Sequence, residues 1–309
     1  MMGKFKMLLV LAMLSLPAVA IADASSVPGG ANWYFYMDLE QMRSGGPGAP
    51  MFDWLRDEVL EDIKEDAGVD VEKEVDRVTS YSTSEDGSAL IIDGNLSQET
   101  RDVIMALIAS DGDINPLKSG GKTYYHFGGD DSMDEDVVYE AGTVGFKVES
   151  LGEESWVSMD VKNKVIITST EGHMKALLDN NGRVNGSRSV DGALMVLTAE
   201  KTLVQAGMKS GMVEEWDSNI LRNTEQVAFL MSAAANKLAI EAKLITTEAE
   251  MAESLASVAR GLISLMSFDD EMDAEMTAVL QGTRIEAKGN SLSLSLAVAP
   301  ELVVQTLGD

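Results

Sequence analysis

The stretch EQVAFLMSAAANKLAIEAKLITTEAEMAESLASVARGLISLM, residues 225–266, decides the fold. It reads as two strands, 225–233 and 237–245, that turn at Asn236 and run into a helix. In the second strand Leu238, Ile240, Ala242 and Leu244 fall on one side, and Lys237, Glu241 and Lys243 on the other. That period of two marks a half-buried strand. The period then changes. Met251, Leu255, Val258, Leu262 and Leu265 are spaced four, three, four and three apart, the period of an amphipathic helix. Thr247 and Glu250 stand at the spacing of a capping box. A strand pair that feeds directly into such a helix lays it on its own apolar face, so the pattern predicts an α+β layer sealed by the Met251–Leu265 stripe.

Working outward, the same succession occurs earlier in the chain. Strands over 75–82 and 88–93 are joined by the turn SEDG, and Ser97 is placed to cap a helix with Val103, Ile104, Leu107 and Ile108 on one side. Leu96 in IIDGNLSQET and Leu244 in IEAKLITTEA both close a hairpin and lead into a capped helix. Before the first hairpin, NWYFYMDL (32–39) alternates as a strand, SGGPGAP (44–50) is a loop, and Phe52, Leu55, Val59 and Ile63 follow helical spacing up to a stop at Gly68. After it come KTYYHF (122–127), strands near 143–149, 156–161 and 164–169, and a short helix capped by Thr170 that ends near Gly182. The polar segment RVNGSRSVD, 183–191, reads as a linker, and GALMVLT (192–198) restarts the pattern. Beyond residue 266 the chain offers a helix over 269–281, a hairpin across Gly289-Asn290, and a terminal helix opened by Pro300.

The expected architecture is α+β with two related halves, 31–182 and 192–309. Each is an antiparallel sheet with helices packed on one face. The layout resembles a group of uncharacterised secreted bacterial proteins built from a duplicated strand–helix–hairpin–helix unit. The resemblance is carried by WYFYMDL (33–39), GKTYYHF (121–127) and TRIEAKGNSLSLSLAVAPELV (283–303). It implies a fold type and no activity.

The first 22 residues carry the marks of an export signal. Lys4 and Lys6 precede the apolar run Met7–Leu16, Pro17 breaks it, and small residues surround a cleavage point after Ala22. Residues 23–30 are small and polar, a flexible lead. The expected location is therefore periplasmic or secreted. The chain has no cysteine, so no disulfide supports it in an oxidising compartment. Its net charge is −27, and loss of the leader makes it more negative by two. That balance disfavours nucleic acid, which needs clustered Lys and Arg. No later segment has the length and apolarity of a membrane span.

Several stretches invite a chemical reading. SGGKT (119–123) looks like a phosphate loop, but Pro116 stands where the first glycine belongs, and the strand-like YYHF follows in place of a helix. The acids Asp130, Asp131, Asp134, Glu135 and Asp136 are candidate calcium ligands, because calcium favours several carboxylate oxygens. They do not form an EF-hand, since Glu135 and Ala141 occupy the required Gly and Glu positions; DGDIN (111–115) fails likewise at Pro116 and Lys122. His126 and His173 are the only histidines and lack zinc-type spacing. No Gly-x-Ser-x-Gly elbow occurs, the nearest being GMKSG at 207–211. The 19 methionines include the pairs Met208/Met212 and Met272/Met276, which suit an adaptable apolar groove better than a copper(I) site with several converging sulfurs.

These observations point to an exported, non-enzymatic binding or interaction protein of the bacterial cell envelope, with an envelope protein or an apolar ligand as partner and no bound cofactor. The alternatives are a carboxylate-based hydrolase, whose acid pair carries no local spacing rule, and a protein stabilised by calcium on the acidic loop.

Overall fold

The computed structural model describes residues 30–110, 114–128, 154–184, 192–201, 223–267 and 274–308. The leader, the strand expected near 143–149 and most of the linker lie outside them. The strands are β1 (Ala31–Asp38), β2 (Val75–Thr83), β3 (Gly87–Gly94), β4 (Asn115–Ser119), β5 (Lys122–Gly128), β6 (Glu154–Ser158), β7 (Lys164–Thr168), β8 (Ala193–Glu200), β9 (Thr224–Ala234), β10 (Lys237–Thr246), β11 (Arg284–Lys288) and β12 (Ser291–Val298). The helices are α1 (Leu39–Arg43), α2 (Ala49–Leu55), α3 (Glu61–Ala67), α4 (Val71–Glu74), α5 (Gln98–Ser110), α6 (Glu171–Asp179), α7 (Ala249–Met266), α8 (Ala274–Gly282) and α9 (Pro300–Gly308).

Local chemistry explains most boundaries. Asp38 ends β1 and caps α1, accepting from the Gln41 amide. A π-helical turn, Arg56–Leu60, inserts between α2 and α3 and brings Leu60 into the core. Gly68 stops α3 in the left-handed conformation, where glycine carries no Cβ penalty. Ser97 Oγ accepts from the Thr100 amide at the start of α5, and Thr170 Oγ1 accepts from the His173 amide at the start of α6. The capping box expected at Thr247 and Glu250 does not form. The N-cap of α7 is Glu248 and makes no side-chain cap bond. Thr246 instead donates its hydroxyl to the Glu248 carbonyl, and the Thr247 amide donates to Asn223, so the hairpin ends secure the helix entry.

Two separate sheets were expected, and the strands form one. Twelve strands pair antiparallel in the order β11-β12-β10-β9-β8-β1-β2-β3-β7-β6-β5-β4. The join is β1 against β8, in register from Trp33↔Ala199 to Met37↔Met195. Strands on either side of the 183–191 segment therefore share a continuous ladder, which covers backbone edges that two sheets would have left open.

The expectation of helices on one face also needs correction. Tyr125, Val157, Ile167, Leu90, Ser80, Phe35, Leu197, Phe229, Ala242 and Leu294 are successive cross-strand partners and so share a face. On that face Leu39, Met42, Met51 and Phe52 pack with Leu238, Ile240, Leu294, Val298 and Val303 of α9. On the opposite face Met174, Leu177 and Leu178 of α6 pack with Tyr34, Tyr81, Ile91 and Ile166. Tyr34 is buried there. Both faces of the sheet at β1, β2 and β3 therefore carry packed apolar side chains. Arg43 fastens the first helical layer, donating to the carbonyls of Glu72 and Val75 and to the Asp76 carboxylate while lying over Phe52.

Gly94 marks the closest approach of backbones. A Cβ there would sit 1.9 Å from the Glu74 carbonyl oxygen and 2.8 Å from Val75 Cα, both main-chain atoms that cannot move alone. Gly172, inside α6, would meet nothing within 4 Å. Urea titration should find Gly94→Ala destabilised by about 1–3 kcal/mol, the usual cost of overpacking. Gly172→Ala should be neutral or more stable by up to about 1 kcal/mol, from helix propensity.

Candidate functional site

Helix α7 carries two apolar rows side by side. One is Ala252, Ala256, Ala259, Ile263 and Met266; the other is Met251, Leu255, Val258, Leu262 and Leu265. Both repeat at four and three residues, so either could face the sheet. The sheet takes the alanine row. Ala252, Ala256 and Ala259 are buried, the first two against Leu244 and Leu292, which are themselves fully buried. Small side chains let the helix axis approach until those leucines lose all contact with water. Arg260 holds the placement by donating to the Ile285 carbonyl at 3.1 Å.

The row expected to seal the sheet is therefore its outer neighbour. Met251, Leu255 and Leu262 are half-buried, Val258 is 57% exposed and Leu265 is 71% exposed. Among the described residues the large apolar side chains left most open are Leu265, Val258 and Leu197, so two of the three stand on this one helix edge. Scattered apolar residues on a surface need no explanation, but an aligned ridge does. The outer flank of the ridge is the row Glu250, Ser254, Ser257, Gly261 and Ser264, all exposed, with its one acid at the N-terminal end. The hydroxyls of Ser254 and Ser257 donate to the Glu250 and Glu253 carbonyls, at 2.8 and 3.0 Å, so they already have acceptors. The alanine row at the same spacing was the signal in the sequence that the leucine row had a competitor.

The other candidate sites fall apart or fall outside. Asp130, Asp131, Asp134, Glu135 and Asp136 lie outside the described residues, as do 111–113 of DGDIN. Among the described residues no three His, Asp or Glu side chains converge as a metal site would require. SGGKT is the tight hairpin between β4 and β5, with Gly120 and Gly121 at positive φ. Lys122 donates to the Leu178 carbonyl at the end of α6, which favours a cation. The histidines sit in different settings. His126 stacks on Trp156 with ring centroids 4.9 Å apart. His173 is buried, with Nε2 2.7 Å from the Tyr81 hydroxyl.

The Tyr81–His173 pair has the form of a catalytic couple and the wrong electrostatics for one. Burial pushes the Tyr81 phenol up, with smaller contributions from Asp86 and Tyr34, away from the ionised form a nucleophile needs. Burial pushes His173 down, against a weaker upward pull from Asp86. The neutral imidazole suits accepting the phenol proton's hydrogen bond and holding it, which is a core contact. Three carboxylates move the way structural pairs do. Asp70 is held low by Lys73 and Lys64, and Glu171 by Tyr124 and Lys175. At Glu74 burial acts upward, but hydrogen bonds from Ser97 and Thr100 outweigh it and hold the carboxyl low. A glycosidase acid requires the opposite shift.

No protein-family model and no curated protein matches the chain. Solved structures of one protein, TP0453, are similar over nearly their whole length. Crystal form III is 13% identical with a TM-score of 0.44, covering 92% of this chain and 96% of that one. Form IV is 14% identical at 0.44, covering 94% and 100%. Form I is 12% identical at 0.39, covering 96% and 98%. Identities this low carry no residue roles from one chain to the other.

The buried imidazole predicts a pH dependence. With its pKa in the folded state below the unfolded value near 6.5, His173 binds its proton more readily when the chain unfolds. Its stabilising contribution is complete above that value and falls as the pH drops below it, by at most about 1.4 kcal/mol per pH unit. Between pH 7 and 5, thermal melts of the native chain should lose more stability than those of His173→Gln, with the carboxylate contribution common to both.

Proposed function

We propose that the chain is an exported protein of the bacterial cell envelope that acts by binding, and that the outer ridge of α7 is its binding surface. One observation carries this reading: Val258 and Leu265 stay exposed on a helix whose sheet-facing side is already filled by alanines. Leaving them in water forgoes about 3 kcal/mol of burial. The leader over 1–22 supports export. No helix among the described residues is long and apolar enough to cross a membrane. The ridge is convex, the outer edge of a single helix. Small apolar ligands are held in concave sites, so a macromolecular partner fits the shape better.

The reading includes two related halves. Its support is the order of strands outward from the β1–β8 seam. One side runs β1, β2, β3, β7, β6 and the other β8, β9, β10, β12, β11. In each the third strand is followed by the last of its half and then by the one before it, with β5 and β4 as an extra hairpin on the first side. Leu244 and Leu292, on which α7 packs, share the sheet face of Ala242 and Leu294.

A photo-reactive residue at position 258 in bacteria expressing the chain should give a defined protein adduct, and one at Glu253 should give none. The double variant Val258→Asp/Leu265→Asp should abolish that adduct from a photo-reactive residue at 262 while changing unfolding stability by no more than about 0.5 kcal/mol per site. No adduct at 258, or equal adducts at 258 and 253, would refute the ridge as a binding surface.

A further inference from the structure

We propose that α6 is an acid-released cover: protonation of His173 frees the N-terminal end of this helix from the β2–β3 turn and uncovers the second apolar face of the sheet. The device is separate from the ridge on α7. Among the described residues α6 is the only helix in the core of that face, where Met174, Leu177 and Leu178 lie with Tyr34, Tyr81, Ile91 and Ile166. The entry to α6 is clasped by the turn between β2 and β3. Thr170 Oγ1 donates to the Asp86 carbonyl at 2.7 Å. The Ser88 amide donates to Ser169 Oγ at 2.8 Å, and the Ser169 amide returns a bond to the Ser88 carbonyl at 3.0 Å. The fit is close enough that a Cβ on Gly87 would stand 2.4 Å from Ser169 Oγ.

Beneath the clasp, α6 and β2 are joined by His173 and Tyr81, 5% and 2% exposed, with Nε2 2.7 Å from the phenol oxygen. In the neutral ring Nε2 accepts the phenol hydrogen, so Nδ1 carries the ring's own hydrogen and an added proton goes to Nε2. Two donors then face each other across that contact. Nδ1 is buried and has no hydrogen-bond partner among the described residues, so the cation gains nothing on its other side. Burial opposes the charge most strongly, while the Asp86 carboxylate and carbonyl favour it. The carboxylate belongs to an exposed residue, and the carbonyl already accepts from Thr170, so neither offsets the burial. Tyr34 of β1, pushed up to about 12 by burial, stays neutral and supplies no counter-charge. The other titratable groups around α6 are engaged elsewhere. Tyr124 and Lys175 bond Glu171, Lys164 bonds Asp93, Asp160 accepts the Thr123 amide, and His126 stacks on Trp156 beside Glu154. The far end of α6 is held by bonds that do not titrate between pH 7 and 5, from Lys122 to the Leu178 carbonyl and from the Gly182 amide to the Leu177 carbonyl. Acid therefore loosens one end of the helix and leaves the other as its pivot, a protonation event acting on a two-state element.

Hydrogen–deuterium exchange of the full chain at pH 7 and pH 5, corrected for the intrinsic pH dependence of amide exchange, tests the release. Peptides covering α6 should exchange severalfold faster at pH 5, up to a ceiling of about 25-fold set by a freed imidazole that titrates near 6.5. Peptides covering β10 should keep their protection, because the opening is local. His173→Gln, whose side-chain oxygen can accept from Tyr81 without titrating, should hold α6 equally at both pH values. If the glutamine leaves α6 open at pH 7, His173→Phe serves as the non-titrating control. Equal exchange of α6 in the native chain at the two pH values overturns the proposal. Acceleration of α6 and β10 together also overturns it, since His173 would then act only through global unfolding. A pH response that survives in either variant overturns it as well, because another group would be responsible.

Discussion

The antiparallel pairing of β1 with β8 is the constraint on which the rest of the architecture depends. Five residue pairs, Trp33↔Ala199 to Met37↔Met195, join the first strand to the eighth and so complete one twelve-stranded ladder. Without it each group of strands would expose a central edge rich in aromatic and aliphatic side chains, the condition that leads sheets to pair with foreign strands. With it the vulnerable edges are moved to the two ends. There β4 carries Pro116 and Lys118, and β11 alternates Arg284, Glu286 and Lys288, residues that discourage further pairing. The seam also fixes which side chains share a face across the whole width, and hence where α6 and α7 can lie.

What was legible in the sequence is what local chemistry dictates. The hairpins at SEDG (84–87) and Gly289-Asn290 were readable because their turns need particular backbone angles, and Gly87 and Gly289 do adopt positive φ. The starts of α5 and α6 were readable because Ser97 and Thr170 offer hydroxyls where helical amides lack partners. What depends on distant partners was hidden. No feature of 183–191 announces that β8 will pair with β1. Burial of Tyr34 depends on Met174, Leu177 and Leu178, more than a hundred residues away, arriving on the second face. The role of Lys122 is likewise set by where α6 ends.

The electrostatic pattern has a similar logic. A strongly acidic chain must prevent its carboxylates from destabilising the fold, and several are absorbed into fixed partnerships. Asp38 accepts from Tyr36, Gln41 and Arg77 at the junction of β1 and α1. Asp70 bridges Lys64 and Lys73, tying α3 to α4. Glu74 receives the Ser97 amide and so ties α4 to the entry of α5. The bonds at Asp70 and Glu74 link elements adjacent in space, and they hold these acids in the charged form. The acids therefore serve as joints between elements, consistent with the lowered pKa of Asp70, Glu74 and Glu171.

The orientation of α7 is the point at which packing and function meet. Turning the helix by about 100° about its axis, one residue's worth, would bring the leucine row onto the sheet and expose alanines instead. By area alone that rotation is favourable, since leucine and valine bury more apolar surface than alanine. It does not occur, because larger side chains would lift the helix away from Leu244 and Leu292, reopening a gap beneath it, and would break the Arg260 bond to the Ile285 carbonyl. The contact beneath the helix is thus rigid, and the exposure of Val258 and Leu265 is a fixed consequence of it. An apolar ridge held outward in this way is preorganised. A partner that covers it gains the burial without the cost of reshaping the helix, and that is the physical reason to read the ridge as an interface.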